Sequence, residues 1–193
     1  MWKPYSVPRT ERIIERLTPT IETIAAKYDM PAAAIQAVLR KEMPQIDVMD
    51  FAADLAVALG GLLRKDSSTG YMQIFGWVGL NAVNFAVDRG LATYESLGIR
   101  SDHRLDPYRD ADVRLIWKKM EGDRKANLEI AALNLISCAE EMTGRIDFAH
   151  YTEEEWKLIF TRYNQNIRKV TPYGEEAYSY FVRFQNIQKG VLS

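Results

Sequence analysis

Apolar residues recur at helical spacing along almost the whole chain, and no stretch alternates apolar with polar positions long enough to predict a strand. Thr18-Pro19 reads as an N-cap and first helical residue, with Ile21, Ile24, Ala25 and Tyr28 on one face. Asp29-Met30-Pro31 restarts the chain. The next helix sets Ile35, Val38, Leu39 and Glu42 at i, i+3, i+4 and i+7, and Pro44 stops it. Asp47 to Leu63 predicts another, closed near Gly60-Gly61; its mostly apolar run from Phe51 to Leu63 contains Asp54 and reads as a buried helix. A polar turn over 65–70 leads through Tyr71-Met72-Gln73-Ile74-Phe75-Gly76 into a helix from Trp77 to Asp88, ended by Arg89-Gly90.

Arg100 to Pro107 forms a charged connector. Helices follow over Asp110 to Met120 and Ala126 to Met142, separated by Glu121-Gly122-Asp123 and closed by Gly144. Thr152-Glu153-Glu154-Glu155 is a capping box that opens a helix to about Asn166, and Thr171-Pro172-Tyr173-Gly174 opens the last, which ends near Gly190. The pattern predicts an all-α chain of seven to nine helices with short loops, a single domain over residues 1–193 with no fixed-period repeat.

Composition narrows the function classes. The 193 residues are 47% hydrophobic and 26% charged, an ordinary globular balance with room for a sizeable core. Lys and Arg number 25 against 26 Asp and Glu, so net charge −1 gives no global field toward nucleic acid or anionic membrane. The single Cys138 leaves no intramolecular disulfide. His103 and His150 have no partner at metal-ligand spacing, so neither metal nor cofactor is expected. No window approaches 18 apolar residues, so membrane insertion is not expected. Met1 to Thr10 has no basic start leading into an apolar stretch, so no secretory signal is read there, although a chain with its leader removed would look the same. Ser67 and Ser68 lack a nucleophile elbow, Cys138 lies mid-helix in an apolar run, and there is no phosphate loop.

Glu42 is the residue that does not fit the pattern. Seven helical positions advance the direction by about 700°, so it falls within roughly 20° of Ile35 and extends the apolar stripe. Partial burial and the C-terminal end of the helix dipole both disfavour its charged form, which raises its pKa toward what a glycosidase acid requires. A solvent-facing carboxylate at a helix end is the plain alternative.

The stretch Ile35-Gln36-Ala37-Val38-Leu39-Arg40-Lys41-Glu42 resembles the helix of lysozyme-like lytic transglycosylases and goose-type lysozymes that ends in the catalytic glutamate. That family continues with a Ser-containing turn and Gly-Leu-Met-Gln-Ile; here Ser67-Ser68-Thr69-Gly70-Tyr71-Met72-Gln73-Ile74 follows, with Gln73 standing 31 positions after Glu42. Asn127-Leu128, Tyr163-Asn164 and Tyr180-Phe181-Val182 fall in the family's order. The likeness covers 31–183, leaving 1–30 as an N-terminal helical extension. Two positions depart from it: Met43 stands where the family has Ser, and Tyr71 where it has Leu.

The resemblance implies a lysozyme-like fold and cleavage of the β-1,4 bond between N-acetylmuramic acid and N-acetylglucosamine in peptidoglycan, with Glu42 as general acid/base. It implies substrate contacts at Ser68, Gly70, Tyr71, Met72, Gln73, Asn127, Tyr163 and Asn164, with Met72 and Gln73 lining the cleft; Tyr180 reads more as core than as site. A turn glycine, a core aromatic at Tyr71 and a helix cap at Asn127 are the plain alternatives. Hydrolysis needs a second carboxylate, for which Asp66 is the first candidate and Asp50 and Asp54 the others, whereas lytic transglycosylation needs none. Such an enzyme is made in the cytoplasm and acts in the wall or periplasm after lysis or dedicated secretion, as a phage lysin or antibacterial effector does. An inhibitor or immunity protein is then a natural partner. The competing reading is an inactive lysozyme-like helical module that binds protein or glycan, which Met43 favours.

Overall fold

A computed structural model describes residues 3–58 and 66–192 of the chain. Among them are eight α-helices, a 3-10 turn and two short strands, so the chain is all-α. The predicted closure at Gly60-Gly61 and the end of the run to Leu63 lie outside the described residues. No helix among the described residues is long and apolar enough to cross a membrane.

The chain splits into two compact units. One takes its described residues from 3–5 and 45–134, the other from 6–44 and 135–192. Each unit is assembled from stretches far apart in sequence, which helical periodicity does not report.

The second of these units holds α1 (Val7–Lys27), α2 (Ala32–Glu42), α7 (Glu153–Asn164), α8 (Pro172–Gln188) and the later half of α6 (Arg124–Thr143). The helix start expected at Thr18-Pro19 is not a start. Ser6 caps α1, its Oγ accepting from the Arg9 N–H, and Pro8 occupies the first turn, where a missing N–H costs nothing. Thr18 lies mid-helix and donates to the Ile14 carbonyl at 3.0 Å. The apolar stripe runs from Ile14 through Ile21, Ile24 and Ala25, all buried, and its packing outweighs the break that Pro19 invites. α2 packs against both α1 and α8, and α7 against α8. Phe148, Tyr151, Trp156, Phe160 and Phe181 form the aromatic part of this core, with Trp156 and Phe181 rings 4.4 Å apart. The capping box is formed: Thr152 and Glu155 satisfy each other's backbone N–H groups.

The other unit contains α3 (Val48–Ala58), β1 (Ser68–Thr69), β2 (Ile74–Phe75), α4 (Gly76–Asp88), α5 (Asp110–Gly122) and the start of α6. The strands pair antiparallel, Ser68 with Phe75 and Thr69 with Ile74. Two residues per strand are too few for alternation to register, so the sequence reads only a turn there. α3 packs on β1, and α4 on α5. α3 departs from the expected buried helix: Met49 is 63% exposed and Leu55 59%, and Asp50 and Asp54 turn toward a cavity instead.

The connector before α5 is held by His103. Its Nδ1 lies 2.9 Å from Asp102 and its Nε2 3.0 Å from Asp112. Those two hydrogen bonds raise the imidazole pKa above the usual 6.5, against Arg109 nearby. A raised histidine pKa stabilises the fold fully below about pH 6.5 and loses that contribution as pH climbs through the folded value. Replacing His103 by Gln is therefore expected to lower the unfolding midpoint more at about pH 5.5 than at about pH 9, as read by thermal denaturation. An equal effect at both pH values would contradict this account of the connector.

Candidate functional site

Glu42 closes α2, and the structure leaves it only 8% exposed at the end of the stripe formed by Ile35, Val38 and Leu39. A buried carboxyl group needs hydrogen-bond partners. The Tyr173 hydroxyl, in the first turn of α8, donates to Glu42 Oε1. Tyr163, near the end of α7, lies close enough to feel the charge of the same carboxylate. Burial first, and the Glu42 charge second, hold the phenols of Tyr163 and Tyr173 well above the usual value of 10. Both are therefore neutral hydroxyls beside the carboxyl group throughout the physiological range.

The surroundings of this group are tied down. Lys41 pairs with Glu176 and lies over the Tyr173 ring, 5.4 Å from its centroid. Arg40 pairs with Glu11 at 2.7 Å and sits over the Tyr180 ring. Tyr180 itself donates to Glu176 at 2.8 Å, which gives it a place in this ionic network. Asn164 is exposed at the end of α7. Met43 is fully buried and offers no side-chain atom to a sugar.

In the other unit, Tyr5, Ile46, Asp50, Asp54, Gly70, Tyr71, Gln73, Met120, Glu121, Arg124 and Asn127 line a cavity of about 200 Å³. Four expected substrate residues (Gly70, Tyr71, Gln73 and Asn127) are thus brought together. Tyr71 stands edge-on to Tyr5, with the Arg124 guanidinium 5.5 Å from its ring centroid. Gln73 accepts from Ser68 at 3.0 Å and donates to the Gly70 carbonyl at 2.9 Å. Ser68 thereby supports Gln73 and is not itself part of the lining. Met72 was expected to line the cleft, yet it is fully buried, because its backbone N–H is held by Asn127 Oδ1 at 3.1 Å.

Asn127 is a structural clamp rather than a cap for its own helix. It also donates to the Thr69 carbonyl, while Asp123 accepts from the Ala126 N–H at the start of α6. Gly70 sits at φ +68°, and a Cβ there would overlap the Asn127 amide. Both its backbone angle and the close approach require glycine.

The three candidate carboxylates have different jobs. Asp66 caps α4: its oxygens accept from Gly76 N at 2.7 Å, Trp77 N at 3.0 Å and Ser67 N at 2.9 Å. It is not among the residues lining the cavity. Asp50 accepts from the Asp47 N–H at 2.8 Å. Asp54 opens onto the cavity, where Ser67 Oγ donates to it at 2.6 Å and the Trp117 indole N–H fixes Ser67 in turn at 3.0 Å. Burial raises the Asp54 pKa to about 6, helped by Glu121 and Asp50 and opposed by the Ser67 hydrogen bond. Among the described residues no group of three or more His, Cys, Asp or Glu is arranged to hold a metal ion. Cys138 is buried and its thiol pKa pushed up to about 12, which leaves it unreactive.

Sequence reasoning missed Tyr173, because Thr171-Pro172-Tyr173-Gly174 carries a helix-start signal that hides the role of the third residue. Glu121 and Arg124 were likewise invisible, since only the fold brings the α5–α6 junction to the Gly70 turn. Family models, characterised proteins and solved structures give no match to this chain.

Two outcomes follow. A carboxyl group with a raised folded pKa stabilises the fold only while protonated, so the Asp54 contribution is present below about pH 4 and is lost as pH rises through about 6. Asp54→Asn should therefore gain stability relative to the wild type above pH 6, measured by denaturant unfolding across pH; no gain would contradict this account. Gly70→Ala should destabilise the same unit by at least about 1 kcal/mol, from the left-handed backbone alone. An unfolding free energy unchanged from wild type would show that the turn can move away from Asn127.

Proposed function

We propose that the chain cleaves the β-1,4 glycosidic bond between the amino sugars of bacterial cell-wall glycan, with Glu42 as general acid/base. The observation that carries this reading is the burial of Glu42 at the end of an apolar stripe, with the Tyr173 hydroxyl on its Oε1 and Tyr163 beside it. A surface carboxylate at a helix end needs no such surroundings. In the cleavage step Glu42 gives its proton to the leaving-group oxygen. If the muramyl 6-hydroxyl then attacks the anomeric carbon, the Glu42 carboxylate takes the proton of that hydroxyl, and the product is a 1,6-anhydro end. If water attacks, a second carboxylate has to activate it.

The cavity in the other unit supports a sugar ligand on its own terms. It combines an aromatic ring at Tyr71, an amide at Gln73, carboxylate acceptors at Asp50, Asp54 and Glu121, and a guanidinium donor at Arg124. Those are the groups that bind a polyhydroxylated ring. Asp66 is taken up by the start of α4, whereas Asp54 opens onto this cavity. The buried Met43 favours a second reading, a glycan-binding module without turnover. Action in the wall, delivery by lysis or dedicated secretion, and an inhibitor or immunity partner belong to the enzymatic reading.

The test is digestion of purified peptidoglycan by wild type, Glu42→Gln and Asp54→Asn, with mass spectrometry of the released fragments. Glu42→Gln is expected to lose about 10²–10⁴ of the rate. Anhydro ends lost in Glu42→Gln identify a transglycosylase; reducing ends lost in Glu42→Gln identify a hydrolase, and Asp54→Asn reports whether the cavity of the other unit takes part. Binding of glycan strands by a wild type that releases no fragments from several wall types would replace the enzyme with the module.

A further inference from the structure

Gly174 lies in the first turn of α8, where glycine favours a helix less than alanine does. Its backbone is not in the left-handed region, so conformation does not explain it. Space does. A Cβ at Gly174 would overlap both Thr161 Oγ1 and the backbone carbonyl oxygen of Lys157 on α7. The carbonyl belongs to a helix and cannot swing aside as a side chain can.

Thr161 is fully buried and reinforces the same crossing, since its Oγ1 accepts from the Thr171 N–H at 3.1 Å and lies 3.3 Å from the Thr171 hydroxyl. The first turn of α8 is thus pressed onto α7 at Gly174. The residue immediately before it is Tyr173, whose hydroxyl reaches Glu42. Tyr163, two positions beyond Thr161 on α7, lies close enough to feel the charge of the same carboxylate.

We propose that Gly174 is a positioning residue for the Glu42 acid/base: its missing side chain lets α8 seat on α7 so that the Tyr173 hydroxyl meets the Glu42 carboxylate. The catalytic part of this inference rests on the glycosidase reading; the geometric part does not. Alanine at 174 pushes the first turn of α8 off α7 and draws the Tyr173 hydroxyl away. A hydrogen bond donated to a carboxylate favours its ionised form, so its loss moves the Glu42 titration to higher pH. Among the charged and titratable groups near that carboxylate are Tyr173 on α8 and Tyr163 on α7, with Glu176 acting on Tyr173, and Arg40 and Lys41 preceding Glu42 on α2. Gly174→Ala leaves all five in the chain.

The experiment is a carbon-13 NMR titration of the glutamate carboxyl groups in the full chain, with Glu42 assigned through Glu42→Gln. Gly174→Ala and Tyr173→Phe are each expected to shift the Glu42 midpoint upward, and the double variant to shift it no further than Tyr173→Phe alone. Gly122→Ala, where nothing lies within 4 Å of the added carbon, is the control and is expected to leave it unchanged. A folded Gly174→Ala with the wild-type Glu42 midpoint overturns the proposal, as does a double variant whose shift is the sum of the two.

Thr161→Val keeps Gly174 but removes the hydroxyl that holds Thr171. It is expected to move the midpoint in the same direction, and covers the case in which Gly174→Ala does not fold; a folded Thr161→Val with the wild-type midpoint then overturns the proposal. The titration needs no turnover. A wild type that shows these shifts yet cleaves no wall would keep the positioning role and remove the glycosidase reading.

Discussion

A carboxyl group set into an apolar helix face has to be given hydrogen-bond partners, and the packing of α8 brings the Tyr173 hydroxyl to Glu42. α2 is buried by α1 on one side and α8 on another, so its last residue is carried out of solvent with the rest of the stripe. Leaving such a group unsatisfied costs several times what a satisfied hydrogen bond contributes. The phenol that meets it comes from more than a hundred positions away in the chain, on α8. Its place depends in turn on how closely α8 can approach α7. Helix packing and site chemistry are the same problem here.

The other unit is organised around a different polar device. The Asn127 amide holds both sides of the Gly70 turn, through the Met72 N–H and the Thr69 carbonyl. With two residues per strand, the hairpin has little ladder of its own, and the buried amide compensates. Asp66 does the same service for α4 by satisfying N–H groups that no helical carbonyl can reach. Ser67, between them, links the Trp117 indole to Asp54. Most of the residues that look chemically active in this stretch are therefore occupied in holding it together.

That division explains what could be read from the chain. Helices α2, α4, α5, α6, α7 and α8 follow from 3.6-residue periodicity and end signals that are local in sequence, such as the Thr152–Glu155 box. The start of α1 is not legible in the chain because Thr18-Pro19 imitates a cap, and only the burial of Ile14 shows that the stripe passes through it. Glu42 was legible because a charged residue in phase with apolar ones is a local anomaly. Tyr173, Glu121 and Arg124 were not, since their relevance comes from contacts that the helices make with one another. The preference for Asp66 over Asp54 failed to anticipate the geometry for a related reason. An aspartate next to the Gly70 turn has the right neighbours in sequence, but its position before α4 turns it into a cap.

On the proposed glycosidase reading, a phenol suits Glu42 better than a fixed cation would. A general acid that must later act as a base has to be tolerated in both protonation states. Lysine or arginine beside it would stabilise the carboxylate alone and oppose protonation. A tyrosine hydroxyl both donates and accepts, so it can donate to an ionised Glu42 and accept from a protonated one without moving. Burial keeps the phenols of Tyr173 and Tyr163 far from ionisation, which prevents the neighbouring oxygens from competing for the proton. Arg40 and Lys41, which precede Glu42 directly, are meanwhile bound to Glu11 and Glu176. Asp54 has the opposite company: burial and two carboxylates favour its protonated form, and the Ser67 and Thr69 hydroxyls favour its ionised form. The two acidic groups therefore answer to different neighbours, and replacing those neighbours separates a role for one from a role for the other.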